Sequence, residues 1–301
     1  MNIEQLNTEY AIADIVKFVE GKGGFPVIEV RNQQAIAKIS VYAGQVLSFQ
    51  PIGATADLLF VSSNAYFQSG KAIKGGIPVC WPWFGADPEN QGRGSHGFVR
   101  DRPWTVLATA APSANETKIT LGLSDTAETR ELWPHAFELR LELTIDRTLR
   151  VELVTHNTGD QSFSITQALH TYFTIGDVAQ VSVLGLDGCD YLDKVEDFAR
   201  QHQGGPITVS AEVDRIYLDV PNALTVEDAA LARRIQISTA GNKTAIVWNP
   251  WIEVSQKMAD LAADNYQKFI CVETANAAED VVTVAAGEEY RLVAEYAVEG
   301  M

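Results

Sequence analysis

The sequence has little of what marks a secreted, metal-stabilised or membrane-spanning protein. Its 301 residues include three cysteines, an odd number, and no CxxC pair. The five histidines show no metal-ligand spacing. We therefore expect neither a disulfide framework nor a bound metal. No apolar run approaches the roughly 18 residues of a membrane-spanning helix, so we expect no membrane partner.

The N-terminal segment also lacks the features of a secretory signal. Its first residues carry no basic charge, and the apolar stretch 11–19 is interrupted by Asp14 and Lys17. A signal peptide needs a positive start followed by an unbroken apolar region. Together with the unpaired cysteines, this predicts a protein of the reducing cytoplasm.

Positive charge is scarce, because 23 Lys and Arg stand against 39 Asp and Glu, which gives a formal net charge of −16. Such a surface repels nucleic acids and anionic membranes, and we expect neither as a partner. It also repels a phosphorylated ligand at long range. A phosphate site in this chain would therefore need a local cluster of cations.

Helical patterns are few, and most of the chain alternates apolar and polar residues with period two, as strands do. The clearest example is Ala136–Asp146. Asp57–Ser62 and Ser162–Phe173 are each predicted as one strand, Gly185–Gly205 as irregular, and Ser255–Asp264 as a short helix. More than a dozen strands with so little helix predict an all-β protein.

The predicted fold is a large antiparallel β-sandwich of two big sheets packed face to face. Hydrophobic residues make up 46% of the chain, which is enough for a sizeable core. No linker or change of composition divides the sequence, so we expect residues 1–301 to form a single domain. We find no internal repeat, which disfavours a propeller.

One long loop, Lys74–Arg100, has an unusual composition. Its glycines and prolines predict irregular backbone, yet it contains Trp81, Trp83 and Phe84. It also carries four basic or titratable groups: Lys74, Arg93, His96 and Arg100. Long loops with aromatic residues inside a compact domain are usually functional. We interpret it as one wall of a cleft for a polar, anionic small molecule; the alternative is a surface loop packed by its tryptophans.

His170 and Glu273 are the candidate catalytic residues. In an extended strand, His170 would share a small, polar face with Ser164, Thr166, Ala168 and Tyr172, as the floor of a cleft requires. Glu273 interrupts an apolar strand, where a carboxylate is either an ion-pair partner or a base with a raised pKa. The alternatives are a histidine hydrogen-bonded on a solvated face and an outward salt bridge.

Five stretches, in order along nearly the whole chain, resemble the glucose-6-phosphate 1-epimerases. These are the hexose-6-phosphate mutarotases of the aldose 1-epimerase (galactose mutarotase-like) superfamily. Any one stretch is a weak signal, but five in order are specific. The stretches are Gly75–Gly85, Ser95–Arg100, Ala168–Phe173, Asp214–Tyr217 and Cys271–Ala275.

The resemblance implies a β-supersandwich and an isomerase that interconverts the α and β anomers of hexose 6-phosphates without metal or cofactor. By match, His170 takes the position of the general acid and Glu273 that of the general base. The matched substrate-binding residues are His96 and Asp214 for the sugar, and Arg100 with Lys74 for the phosphate. The family usually has arginine where this chain has Lys74, and lysine lacks the bidentate fork. Arg93 matches no family position, but it could compensate. We expect a monomer.

In the implied mechanism, Glu273 takes the proton of the anomeric hydroxyl and His170 protonates the ring oxygen. We expect the two groups on opposite sides of the sugar ring, with pKa values brought near neutral by burial.

Three other functions are compatible with the sequence. The first is an aldose 1-epimerase of unphosphorylated sugars. The second is a non-catalytic sugar-binding protein in which Trp81, Trp83 and Trp251 form a stacking platform. The third is a glycosidase, in which Asp214 would have to partner Glu273.

Overall fold

The computed structural model describes residues 2–301, in which antiparallel strands dominate. The three α-helices are short: α1 (Ile3–Tyr10), α2 (Ala127–Leu132) and α3 (Trp251–Lys257). The strands of the first half are β1 (Val16–Glu20), β2 (Pro26–Arg31), β3 (Ala35–Ser40), β4 (Gln45–Pro51), β5 (Val79–Cys80), β6 (Thr105–Ser113), β7 (Glu116–Ser124), β8 (Phe137–Ile145) and β9 (Leu149–Asn157).

The second half contributes fourteen strands. They are β10 (Phe163–Ile165), β11 (Gln167–Leu169), β12 (Tyr172–Thr174), β13 (Val181–Leu184), β14 (Asp190–Asp193), β15 (Ala199–His202), β16 (Ile207–Thr208), β17 (Val213–Leu218), β18 (Ala223–Asp228), β19 (Arg233–Ala240), β20 (Thr244–Asn249), β21 (Phe269–Asn276), β22 (Val282–Val284) and β23 (Glu289–Gly300).

Two large sheets form the body of the molecule. The nine-stranded sheet has the order β16-β13-β18-β19-β23-β9-β8-β7-β6. The eight-stranded sheet has the order β15-β14-β17-β20-β21-β11-β5, with β12 also paired to β21. A four-stranded sheet (β1-β2-β3-β4) and a pair (β10-β22) complete the fold. The predicted all-β sandwich is confirmed.

The core lies between the two large sheets, because alternate residues of each strand point inward. From the nine-stranded sheet, Leu141 and Ile235 are buried there; from the eight-stranded sheet, Val247 and Val272. The neighbours of Val247 and Val272 along their strands point to the opposite, outer face of the eight-stranded sheet. That outer face carries the candidate functional residues.

Four predictions of local structure were wrong. Asp57–Ser62 is not a strand and makes only two isolated bridges. Gly185–Gly205 contains the short strands β14 and β15. The helix predicted at Ser255–Asp264 begins earlier, as α3, because the chain turns directly after Pro250. Ser162–Phe173 is divided into β10, β11 and β12, and β10 pairs in a separate small sheet. Within residues 2–301, none of the helices combines the length and the apolar character needed to cross a membrane.

Candidate active site

A cavity of about 330 Å³ opens on the outer face of the eight-stranded sheet. All six site residues predicted from the sequence line this one cavity. Its lining consists of Lys74, Phe84, Ser95, His96, Arg100, His170, Tyr172, Lys194, Glu212, Asp214, Ile246, Trp248, Val254, Met258 and Glu273. The loop 74–100, three central strands and helix α3 therefore meet around it.

A larger cavity, of about 510 Å³, lies elsewhere and is lined in part by Arg147 and Arg233. The Arg233 guanidinium already donates to the backbone carbonyls of Asp57 and Thr174. No histidine lines it, and its one carboxylate side chain, Glu299, is exposed. The chemistry therefore favours the smaller cavity on the eight-stranded sheet as the functional site.

The central strands β17, β20 and β21 present their side chains to the cavity by simple alternation. Asp214 lies beside Trp248, and Ile246 lies beside Glu273, in the register of adjacent strands. The intervening residues, such as Val272, point into the core. A shift of register by one residue would bury the carboxylates in the core, so the core packing fixes the site.

His170 lies between β11 and β12, where the chain makes a tight turn. The Thr171 N–H donates to the Leu169 carbonyl at 2.9 Å, and the His170 N–H donates to Pro78 at 3.0 Å. Although the predicted continuous strand is broken, side chains still alternate: Thr171 faces the core while Tyr172 faces the cavity. The predicted face of His170 was therefore correct.

Ser164 was wrongly placed on that face, because it belongs to β10 and bonds to Thr283.

The His170 and Glu273 side chains are in direct contact, with 3.3 Å between Nε2 and Oε1. The His170 ring also stacks on Tyr172, with centroids 4.8 Å apart. Glu273 is only 2% exposed. Two of the pair's atoms, Nδ1 of His170 and Oε2 of Glu273, are buried without a hydrogen-bond partner among the described residues. Buried polar atoms of this kind need a ligand or water to satisfy them.

Burial shifts both members of the pair towards their neutral forms. It raises the pKa of Glu273 well above its usual value, and the charge of Asp214 adds to this shift. It lowers the pKa of His170 well below its usual value, and the nearby His96 and Arg100 add to this. Both shifts favour the uncharged forms of the pair, a protonated carboxyl and a neutral imidazole. The sequence analysis expected the pKa of His170 to lie near neutral pH, and the structure places it lower.

His96 is held in one tautomer by the loop around it. Its Nδ1 accepts a hydrogen bond from the Gly85 N–H at 3.3 Å, which leaves Nε2–H as the donor. Burial, followed by the charges of Arg100 and Lys194, lowers the pKa of His96 to about 3. His96 has a backbone φ of 64°, a left-handed conformation that is costly outside glycine. This neutral donor lies beside His170, with ring centroids 5.8 Å apart.

Three cations line the cavity, and they differ in their partners. Lys74 Nζ lies 3.4 Å from the Asp260 carboxylate, and Lys194 Nζ lies 2.6 Å from that of Asp214. Arg100 donates to the Ser95 carbonyl at 2.9 Å. Of these three, only Arg100 has no carboxylate within 4.0 Å among residues 2–301.

Two tryptophans of the loop 74–100 do not line the cavity, although the loop was interpreted as a wall of the cleft. Trp81 is fully buried in the core, and its Nε1 donates to Thr155 at 3.1 Å. Trp83 is 4% exposed, and the Arg93 guanidinium stacks over its ring at 4.4 Å. The cavity's aromatic surface comes from other residues: Phe84, Tyr172 and Trp248.

Two further suggestions from the sequence were also wrong. Arg93 is bound to the Asp87 carboxylate outside the cavity, so it does not compensate for Lys74. Trp251 does not line the cavity and packs against Tyr266. A stacking platform of the three predicted tryptophans is therefore not present in the described residues.

Comparison with known proteins identifies the family. Residues 26–297 match the model of the aldose 1-epimerase family. The chain belongs to the aldose 1-epimerase family. It is 38% identical over 255 residues to a protein of Escherichia coli (strain K12) named "putative glucose-6-phosphate 1-epimerase", covering 84% of each chain. A Cenchrus ciliaris protein of the same name is 35% identical, over 93% of this chain and 85% of its own.

A solved structure agrees with this family assignment. The crystal structure of a putative mutarotase from Salmonella typhimurium has a TM-score of 0.89 and 32% identity, covering 97% of this chain and 96% of that one. The protein is therefore an isomerase of the epimerase type on a mutarotase fold.

Sequence reasoning missed several lining residues of this epimerase. The most notable is Lys194, which lies in the segment predicted as irregular and belongs to no recognised motif. Tyr172 was predicted on the same face as His170 but given no role, and Trp248 was not assigned to the cavity. Glu212 also lines the cavity, only two residues before Asp214. For Glu212, alternation back from Asp214 at the start of β17 was the signal available; Trp248 is recognised only through its pairing with Asp214 across β17 and β20.

Proposed function

We propose that this epimerase interconverts the α and β anomers of hexose 6-phosphates, with glucose 6-phosphate as the model substrate. The observation that carries the proposal is the 3.3 Å contact between His170 and Glu273 inside a cavity lined by three cations. The names of the E. coli and Cenchrus ciliaris relatives support the same substrate.

The His170–Glu273 pair would carry the protons. Both the anomeric hydroxyl and the ring oxygen are attached to C1, so adjacent carriers can serve them from one side. With the pair's proton on His170, Glu273 takes the hydroxyl proton while Nε2–H protonates the ring oxygen, and the C1–O5 bond opens. Each carrier is worth roughly 10²–10⁴ in rate. The sequence analysis expected His170 and Glu273 on opposite sides of the sugar ring, but the mechanism does not require this, and the two side chains are in contact.

Ring closure reverses these steps after rotation about C1–C2. Opening leaves Glu273 protonated and His170 neutral, which is the protonation state that burial favours in the resting pair. The protein therefore stabilises the state that accompanies the open aldehyde. The 3.3 Å contact gives a direct path by which the proton returns to His170 before each opening.

The remaining residues would bind the substrate. Lys74 and Arg100 hold the phosphate through charge-assisted hydrogen bonds. His96 donates from Nε2 to a sugar oxygen, and Asp214 accepts from a hydroxyl. We also propose that residues 1–301 form one domain that acts as a monomer in the cytoplasm. The cavity, which lies within one chain, and the three free cysteines support this.

An observation also favours a second candidate, an epimerase of unphosphorylated aldoses. Both lysines of the cavity are already paired with carboxylates, so among residues 2–301 Arg100 is the cavity cation left free for a phosphate dianion. A neutral sugar would need none of these charges.

Magnetisation-transfer NMR separates the two candidates by measuring α/β exchange of glucose 6-phosphate and of glucose with the same enzyme. We expect exchange of the phosphate ester to be accelerated far more strongly. Acceleration of glucose alone would replace the proposal with the second candidate. Binding without acceleration of either sugar would leave a non-catalytic sugar-binding protein.

A further inference from the structure

Lys194 occupies a position in the cavity that no sequence motif assigned. It follows directly after β14, and its backbone N–H donates to the Asp214 carbonyl of β17 at 2.9 Å. Its side chain runs to the same residue, with Nζ 2.6 Å from Asp214 Oδ2. Both side chains line the cavity and are partly exposed, Lys194 at 26% and Asp214 at 19%. The pair is therefore fixed in place and accessible to a ligand.

The simplest role for the Lys194–Asp214 ion pair would be to join β14 to β17. Those two strands, however, are already joined by another ion pair. Asp193 pairs with Arg215 across β14 and β17, with 3.2 Å between Oδ2 and Nε. Alternation places this second pair on the opposite face of the sheet, where the Arg215 guanidinium stacks over the Tyr191 ring. Joining the strands thus does not require an ion pair in the cavity.

The Lys194–Asp214 pair has unused hydrogen-bonding capacity. An ammonium has three donors, and Lys194 spends one on Asp214. Among residues 2–301, only Lys194 donates to the Asp214 carboxylate, which leaves acceptor sites free. A donor fixed beside an acceptor matches neighbouring hydroxyl groups, because each hydroxyl both donates and accepts.

Charge argues that the pair binds hydroxyls and not the phosphate. A phosphate dianion on Lys194 would lie against the carboxylate of Asp214 and near that of Glu212, which lines the same wall. Like charges so close repel strongly in a partly buried site. Arg100, with no carboxylate partner among the described residues, is the better anchor for the phosphate.

The sheet sets the distance of the pair from the reacting carbon. Asp214 lies on β17 and Glu273 on β21, and β20 separates them. Two strand spacings amount to roughly 10 Å. With C1 at Glu273, the pair faces a different part of the same sugar ring.

We propose that Lys194 and Asp214 together bind adjacent ring hydroxyls of the sugar, which makes Lys194 a specificity-determining residue for hexose configuration. This inference rests on the proposed function for the identity of the sugar. Asp214 alone can only accept hydrogen bonds when ionised, and the ammonium supplies the missing donor. The burial of Asp214 raises its pKa, and Lys194 opposes this shift by favouring the ionised form.

The experiment is calorimetric titration of the folded enzyme, at fixed ionic strength, with glucose 6-phosphate and its 2-, 3- and 4-deoxy analogues. The variants are Lys194→Met, which keeps the aliphatic stem, and Arg215→Met as the matched control for the strand-joining role. We expect Lys194→Met to weaken binding of glucose 6-phosphate by about ten- to a hundredfold, as for other hydrogen bonds to charged groups. Arg215→Met should bind the sugar as the unchanged protein does.

The analogues provide the decisive comparison. At least one should bind the unchanged protein less tightly than glucose 6-phosphate, and that difference should nearly vanish in Lys194→Met. Unchanged binding by Lys194→Met, an equal loss in Arg215→Met, or a deoxy penalty that persists without Lys194 would each overturn the inference. So would a failure of every sugar to bind.

This measurement is independent of turnover. An enzyme that exchanges glucose 6-phosphate anomers but shows no Lys194 effect keeps the proposed function and loses this inference. An enzyme that binds the sugar through Lys194 but does not exchange its anomers keeps this inference and loses the proposed function.

Discussion

Two pairs of polar side chains on opposite faces of the eight-stranded sheet, Thr171–Tyr296 and His170–Glu273, differ in how their atoms are satisfied. On the core face, the Thr171 hydroxyl and the Tyr296 hydroxyl bond to each other at 2.7 Å. On the cavity face, one atom each of His170 and Glu273 is buried without a partner among the described residues. An unsatisfied buried polar group costs about 1–3 kcal/mol. A ligand in the cavity can remove this cost, whereas the Thr171 and Tyr296 hydroxyls already satisfy each other.

The same few strands produce both faces, because side chains alternate along each strand. On β21, Ile270 and Val272 are in the core, while Cys271 and Glu273 are on the cavity side. A substitution at a core-facing position of β21 should therefore lower stability, whereas one at a cavity-facing position should lower activity. The following predictions use this contrast.

The largest effect on activity should come from Glu273→Gln. Glutamine keeps the size of the side chain but cannot take or give a proton, so the rate of anomer exchange should fall by roughly 10²–10⁴. His170→Ala should cause a loss of the same order. Magnetisation-transfer NMR gives the rates, and circular dichroism checks the fold. A variant that exchanges anomers at the ordinary rate would remove its residue from the mechanism.

The matched change on the core face is Ile270→Ala, three residues earlier on the same strand. Ile270 is fully buried, and its removal leaves a cavity that should lower the free energy of unfolding by about 2–5 kcal/mol. Exchange per folded molecule should stay close to normal. Denaturant titration measures the first quantity. Ile270→Val, which should cost only about 0.5–1.5 kcal/mol, is the control. A selective loss of exchange in either variant would contradict the separation of the faces.

A smaller effect is expected from a substitution in the proposed phosphate-binding part of the cavity. Arg100→Met removes the cation that has no carboxylate partner among residues 2–301. The KM for glucose 6-phosphate should rise by about ten- to a hundredfold, because charge-assisted hydrogen bonds are lost. Binding of glucose should hardly change.

Arg93→Met is the matched control for Arg100→Met, since Arg93 belongs to the same loop but binds Asp87 outside the cavity. Arg93→Met should leave the enzyme's preference for glucose 6-phosphate over glucose unchanged. An equal rise in KM for both sugars in Arg100→Met would show that Arg100 holds the loop and not the phosphate.

The sequence predicted which side of a strand a candidate residue faces wherever strand periodicity decides it. Glu273 was found because a carboxylate interrupts an apolar strand, and the face of His170 was correct because the tight turn at Thr171 preserves alternation. Lys194 was missed because its contact in the cavity is with a residue twenty positions away, which only the pairing of β14 with β17 brings close. No local pattern contains that information.

The tryptophans show a second limit of sequence reasoning. An aromatic residue in a loop is expected to be buried, but the sequence does not indicate which side of the loop the core lies on. Trp81 and Trp83 turned towards the core, while Phe84, the next residue, turned towards the cavity. The departure at Lys74 was visible in the sequence, but its pairing with Asp260 was not.

That pairing leads to the smallest predicted effect. Asp260 holds its carboxylate 3.4 Å from Lys74 Nζ, where a substrate phosphate would compete with it. Asp260→Asn frees the lysine and removes a like charge, so the KM for glucose 6-phosphate should fall. Partly exposed ion pairs are worth at most about 1 kcal/mol, which limits the change to roughly fivefold.

Salt provides the check on Asp260→Asn, because the difference from the unchanged enzyme should shrink as ionic strength rises from 0.01 M towards 1 M and the Debye length shortens from about 30 Å to 3 Å. Asp264→Asn, in the same segment but without a lysine or arginine partner among residues 2–301, is the control and should leave KM unchanged. A higher KM in Asp260→Asn would mean that the carboxylate positions Lys74 for the phosphate and does not compete with it.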